Sequence, residues 1–186
     1  EFTQKGIELL KSPNGFFMMV EGGKIDWACH ANDAASAVRD TLAFDESVKI
    51  AYDFYKKHPE ETLIVVTGDH ECGGMTIGFA GTKYDCFPER IGRQEMSYIA
   101  FNKKVEAWRA NKVETDFMTA LPEIKEAFGF DKLSGFEIEQ LAKAFDLSMA
   151  SKEERASNAA TYLLYGYYEP LTVKCTHLAN RQAGIA

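Results

Sequence analysis

Two apolar runs constrain this chain more than anything else in it. GFFMMV (15–20) and TLIVVTG (62–68) are continuously apolar rather than alternating, as strands buried on both faces are. Between them, Asp33 is placed to cap a helix running from AASAVRD to AYDFYKK. Its apolar positions Val48, Ile50, Ala51, Phe54 and Tyr55 recur at helical spacing, and Pro59 follows its end. Strand, long helix and second buried strand make a βαβ unit with parallel strands. The fold class expected is therefore α/β, a parallel sheet flanked by helices.

The rest of the chain reads differently. Residues 4–11 have short helical spacing and stop at SPNG, and GGMTIGFAGTKYD reads as a strand and turn. From Gln94 to about Lys152 the pattern is polar and helical, which suggests an insertion or cap on the sheet. Another helix is expected over 151–168. Pro170 can start a last one, LTVKCTHLANRQAG, closed by Gly184. Three regions follow: an α/β core segment with ligand-bearing loops (1–81), a helical insertion (82–168) and a returning core helix (169–186).

Each apolar run ends in groups that bind cations. Glu21 follows the first, with Asp26 and His30 close behind; Asp69 and His70 follow the second. Ligands of open parallel sheets bind beyond the carboxyl ends of the strands, so these five side chains can converge on one edge. Clustered carboxylates raise one another's pKa values, and cations relieve that cost. Mixed Asp/His ligation suits Zn²⁺, and a hard oxygen site around Glu21 suits Mg²⁺. Two metals about 4 Å apart are a recurring device for phosphoryl transfer. Any one of these residues alone is better explained as a turn former or helix cap. The weight lies in two separate segments delivering ligand types to one edge.

The bulk properties narrow the function classes. The chain has 186 residues and a net charge of −7, with 28 acidic and 21 basic residues and no Lys/Arg cluster. A nucleic-acid or anionic-membrane partner is disfavoured. No apolar run approaches the ~20 residues of a membrane span. EFTQKGIELLKS lacks the basic start and apolar stretch of a signal peptide, and the chain reads as a piece of a longer protein. Four scattered cysteines, at 29, 72, 86 and 175, do not make a disulfide framework.

VEGGKIDWACH, followed about forty residues later by LIVVTGDHECGG, resembles the alkaline phosphatase family, whose E-G-x-x-I-D-x-x-x-H and T-x-D-H segments supply a two-zinc, one-magnesium centre. The similarity is close from about Gly15 to Gly74, and EPLTVKCTHLANRQAGIA resembles a later core helix. The middle, about 82–168, resembles the variable insertion or crown. The resemblance implies a partial alkaline-phosphatase-like parallel sheet. Glu21 would be a Mg²⁺ ligand, Asp26 and His30 ligands of the first Zn²⁺, and Asp69 and His70 ligands of the second, with Asp69 bridging. It also implies a phosphate monoester substrate and a periplasmic or secreted location.

Departures from the family pattern bear on activity. The serine nucleophile segment, the phosphate-gripping arginine and the third zinc histidine have no counterpart here. Ser12, Ser36, Arg39 and His177 lie in the wrong context to replace them, and His58 reads as a helix C-terminal cap. The expectation is a metal cradle without a nucleophile, and little or no phosphatase activity from this chain alone. Cys29 and Cys72 neighbour the ligand candidates. Thiolates bind Zn²⁺ well, but the family pattern does not use them; a packing role is expected, and a disulfide between them stays open. Trp27 reads equally as a wall of the substrate mouth or an apolar lid. Other readings are a phosphodiesterase or mutase of the wider superfamily, and a non-catalytic assembly module. The sheet edge left by such a fragment is expected to be hidden by homodimerisation, strand exchange or rearrangement.

Overall fold

The computed structural model describes residues 1–72, 74–111, 116–151, 154 and 168–185. In order along the chain it has α1 (Phe2–Leu10), α2 (Gly23–His30), α3 (Ala34–Tyr55), a 3₁₀ turn (Ala80–Thr82), α4 (Pro88–Ile91), α5 (Tyr98–Ala110), α6 (Phe117–Phe128), α7 (Gly135–Met149) and α8 (Pro170–Gln182). The helix expected over 151–168 lies almost wholly outside the described residues.

Local chemistry explains where these helices begin. Asp33, Ser97, Asp116 and Ser134 each accept a hydrogen bond from the backbone N–H three residues on, which satisfies a donor the helix itself leaves unpaired. Ser134 and Glu137 close a reciprocal capping box. Pro88 and Pro170 occupy first-turn positions, where a missing N–H costs nothing. Beyond α8, Gly184 takes a left-handed conformation, φ +74°. A Cβ there would strike the Asp85 carbonyl oxygen, so no other residue fits.

The main core lies among α5, α6, α7 and α8. Phe101, Val105, Ile124, Phe128, Leu141 and Leu171 are fully buried in it, and each contributes roughly 1.5–3 kcal/mol by leaving water. Phe101 meets Phe128 edge-on at 4.8 Å and Trp108 at 5.7 Å between ring centroids, the geometry that aromatic quadrupoles favour. A smaller cluster of Ala28, Ala31, Ala37 and Tyr98 packs α2 on α3 and on the start of α5. Alanines at these contacts let the helix backbones approach closely.

Polar contacts lock the two clusters together. The Asp33 carboxylate is only 1% exposed and accepts from Ser36 N–H (3.0 Å), Ser36 Oγ (2.7 Å), Gln94 Nε2 (2.9 Å) and Tyr98 N–H (2.9 Å). From α8, Thr176 Oγ1 donates to the Ala31 carbonyl at 2.7 Å and Asn180 Nδ2 to the Asn32 carbonyl at 2.8 Å. The α2–α3 corner is thus held from both sides.

The expected parallel sheet is not formed. Among the described residues there is no strand, and the β-type pairing is a single isolated antiparallel bridge, Ile77 to Ile185. Segments 15–20 and 62–68 run without regular structure and turn apolar side chains outward; Phe17 is 89% exposed and Leu63 87%. The α/β expectation of a sheet flanked by helices is therefore corrected: among the described residues the regular structure is helical, and the two apolar segments lie outside it. The physical reason is that continuous apolar runs identify chain that fits the middle of a sheet but not the strands that would flank it. Two parallel strands joined by one helix bury too little to stand alone. No helix among the described residues is long and apolar enough to cross a membrane.

Replacing Asp33 tests how far the corner depends on one carboxylate. Asp33→Ala strands several buried donors besides removing an N-cap. It should cost roughly 3 kcal/mol in urea unfolding, against about 1 for a cap alone. A loss no larger than the cap value would show that the Gln94 and Tyr98 bonds contribute nothing.

Candidate metal centre

The first ligand segment is α2. Its N-terminal residue follows Gly22, at φ −88° and ψ 45°, with no side-chain cap; the helix is short and held by its buried Ala28 and by the corner beyond. Asp26 and His30 stand four residues apart, so they share one face, with His30 Nε2 3.4 Å from Asp26 Oδ2. Trp27 points elsewhere, 55% exposed, with Lys24 Nζ 4.4 Å from its ring centroid.

The second segment, 69–72, bends back toward α2. His70 N–H donates to Asp69 Oδ1 at 3.1 Å, and His70 Nε2 lies 3.4 Å from Asp69 Oδ2. His70 Nδ1 is 2.7 Å from the Glu71 carbonyl. A carbonyl only accepts, so Nδ1 carries the hydrogen. Nε2 is then the free lone pair of the neutral ring, the arrangement that prepares imidazole for a metal. The Glu71 hydrogen bond, followed by the negative charge of Asp69, raises the His70 pKa above the ordinary histidine value.

The two segments meet. Ligand atoms of Asp26, His70 and Cys72 all lie within 4.8 Å of one another, and Cys72 Sγ is 3.9 Å from Asp26 Oδ1. Asp26 thus faces the second segment, while His30 and Asp69 flank the group through their pairings with Asp26 and His70. Glu21 is not part of this trio; its carboxylate lies beside Gly23 at the start of α2. A mostly apolar cleft of about 450 Å³, lined by Ile25, Cys29, Val38, Leu42 and Met75, opens next to Cys72. Cys29 is half-buried there and faces Cys72. Burial first, and the neighbouring thiol second, push its pKa up to about 11. The donor set of carboxylates, imidazoles and a thiol fits a divalent ion of borderline softness such as zinc.

Other polar candidates are occupied elsewhere. Ser12 Oγ donates to the Gly15 carbonyl at 2.9 Å and Ser36 Oγ to Asp33, so neither hydroxyl faces the trio. Arg39 Nη2 donates to the Gly92 carbonyl. His177 is on α8, its pKa lowered by burial and then by Lys174 and Arg181. His58 lies beyond the end of α3 and packs against Phe54 at 4.7 Å between centroids. Cys72, for which a packing role was expected, is exposed and lies beside Asp26 at the edge of the apolar cleft.

The alkaline phosphatase family model matches residues 1–159 of the chain. Alkaline phosphatase 3 of Bacillus subtilis is 46% identical over 92 residues, 49% of this chain and 20% of that protein. The repressible alkaline phosphatase of Saccharomyces cerevisiae is 52% identical over 65 residues, 35% of this chain and 12% of that protein. The alkaline phosphatase of Escherichia coli is 44% identical over 71 residues, 38% of this chain and 15% of that protein. No solved structure matches. These relatives are hydrolases by name, and the chain aligns with no more than a fifth of the length of any of the three. The chain belongs to the alkaline phosphatase family.

In the metal-free chain, the His70 ring resonances should titrate above the ordinary histidine range, and Asp69→Asn should bring the midpoint part of the way back. Proton NMR against pH reads both. A midpoint at or below the ordinary value would mean that the Glu71 and Asp69 contacts do not form in solution.

Proposed function

We propose that this chain carries the metal-ligand segment of a metal-dependent phosphate monoesterase. The observation that carries the reading is the meeting of Asp26, from α2, with His70, from a loop more than forty residues on, their ligand atoms within 4.8 Å of each other. In this reading Glu21 holds Mg²⁺, Asp26 and His30 hold one Zn²⁺, and Asp69 and His70 hold a second. Divalent ions held there would neutralise charge on a phosphoryl group and activate the attacking oxygen.

The chain's own residues prepare that chemistry. The i, i+4 spacing in α2 keeps Asp26 and His30 on one face, and the buried corner after α2 fixes the direction of that face. The Glu71 carbonyl fixes the His70 tautomer, so the ring offers Nε2, and Asp69 keeps negative charge beside it. With Ser12 and Ser36 engaged away from the centre, the nucleophile is not supplied by these residues. A phosphate monoester as substrate and a periplasmic or secreted location belong to the same reading.

Calorimetric titration of Zn²⁺ into the 186-residue chain tests it. The wild type should bind, and an Asp69→Ala, His70→Ala double variant should bind about tenfold or more weakly, since loss of even a supporting partner costs that much. The chain alone should hydrolyse phosphate monoesters little or not at all. A wild type that takes up no zinc, or one that turns over at the rate of an intact enzyme, would sink the reading.

A further inference from the structure

A second cleft, of about 540 Å³, lies between α8, the first turns of α7 and the 80–82 turn, and none of the metal-ligand candidates lines it. The chain as a whole has a net charge of −7, but here the sign reverses: Arg90, Lys174 and Arg181 line the cleft against one carboxylate, Glu137. Lys174, His177, Leu178 and Arg181 recur at helical spacing, so one face of α8 presents them together. Both oxygens of Glu137 are engaged. Oε2 accepts from Ser134 N–H at 2.7 Å and Ser134 Oγ at 2.8 Å, and Oε1 from Gln182 Nε2 at 3.0 Å. Lys174 makes no hydrogen bond or ion pair among the described residues. The two guanidinium groups are already positioned. Arg181 stands 4.7 Å from the Phe79 ring centroid. Arg90 stands 4.1 Å from that of Phe87, and its Nη1 donates to the Gln182 carbonyl at 2.6 Å. Stacking fixes the plane of a guanidinium, so less freedom is lost when its remaining N–H groups meet a ligand. Phe136, 65% exposed, and Leu178 add an apolar wall.

We propose that this cleft binds a small organic dianion, a phosphate-type head group on an apolar body, with the head held by Lys174, Arg181 and Arg90 and the body laid against Phe136 and Leu178. Three cations against one carboxylate leave a surplus of two positive charges, which matches a dianion. Forked guanidinium donors match the oxygens of a tetrahedral oxyanion, and a lysine adds a point charge. Ligand pockets commonly join an apolar wall to a few convergent polar groups in this way. His177 reports on occupancy. Burial, then Lys174 and Arg181, lower its pKa. The charged groups lining the cleft around it are those two on its own helix, Glu137 from α7 and Arg90 from α4. An anion seated among these cations offsets their repulsion, so binding raises the His177 pKa, and the anion binds more tightly where that ring is protonated. The inference is independent of the metal reading.

Phenylphosphonate, which has no ester bond to hydrolyse, is the probe. It would be titrated into the 186-residue chain in EDTA and at low salt, so that no metal takes part and screening is small. The His177 ring resonances, assigned by comparison with His177→Gln, should shift to saturation, and the midpoint of their pH titration should rise. Lys174→Gln should keep the wild-type circular dichroism spectrum and weaken binding about tenfold or more, the worth of one charge-assisted contact. Phe136→Ala should weaken phenylphosphonate but not inorganic phosphate. Absence of a saturable shift overturns the proposal, and so does a shift that Lys174→Gln leaves unchanged. Benzyl alcohol moving the same resonances as strongly would reduce the cleft to an apolar surface and overturn it too. Equal affinity for inorganic phosphate and phenylphosphonate overturns the apolar body while leaving the anion head standing. Zinc calorimetry reads the metal centre separately, so either idea can fail without the other.

Discussion

The carboxylate of Asp33 is the interaction on which the arrangement depends. It starts α3, and from the same two oxygens it holds Gln94 and the first N–H of α5. A carboxyl group this deeply buried is tolerable only when its acceptor sites are filled, and here four donors fill them. The consequence reaches the site. Ligand helix α2 ends three residues before Asp33, so its direction is set by the corner that this carboxylate fixes and that Thr176 and Asn180 close from α8. A stability determinant in the helical body is thereby also a positioning determinant for Asp26 and His30.

A second buried polar node ties the helical body to itself. Arg109, near the end of α5, makes a two-armed contact with Glu169, at 2.9 and 2.5 Å, and also donates to the Ser148 carbonyl. Ser148 Oγ in turn accepts from Leu171 N–H, and Asn102 accepts from Glu169 N–H. Such a pair adds little net stability over an apolar replacement, because both charges must be desolvated. What it does is specify: the fork geometry accepts one placement of the start of α8 relative to α5 and α7. Since α8 also grips the α2–α3 corner, the register set by Arg109 and Glu169 is transmitted to the ligand helix.

Helix starts were legible in the sequence because their signals are local. Asp33 as a cap, Pro170 as a first-turn residue and Gly184 as the left-handed stop each act within a few residues of themselves. The candidate ligand patterns E-x4-D-x3-H and D-H are equally short and local, and the fold brings Asp26 and His70 from them to within 4.8 Å. The sheet was not. An apolar run such as TLIVVTG states that a segment suits a buried strand, but pairing requires partners at a distance, and nothing in the run names them. The segment is irregular and exposed instead. The contact of Cys72 with Asp26 was not legible either, because it depends on a bend after Gly68 that returns the chain to α2, 46 residues away in sequence.

The two halves of the centre are therefore built to different standards of rigidity. Asp26 sits on a helix whose far end is clamped by buried hydrogen bonds and close alanine packing. His70 and Cys72 follow an exposed segment, and the contacts that shape their bend are mostly made within it: Asp69 to His70, His70 to Glu71. Local contacts of this kind fix a ring tautomer but not the distance to another element. The direction of Asp26 is thus set by the buried helical body, and that of His70 by its own short segment.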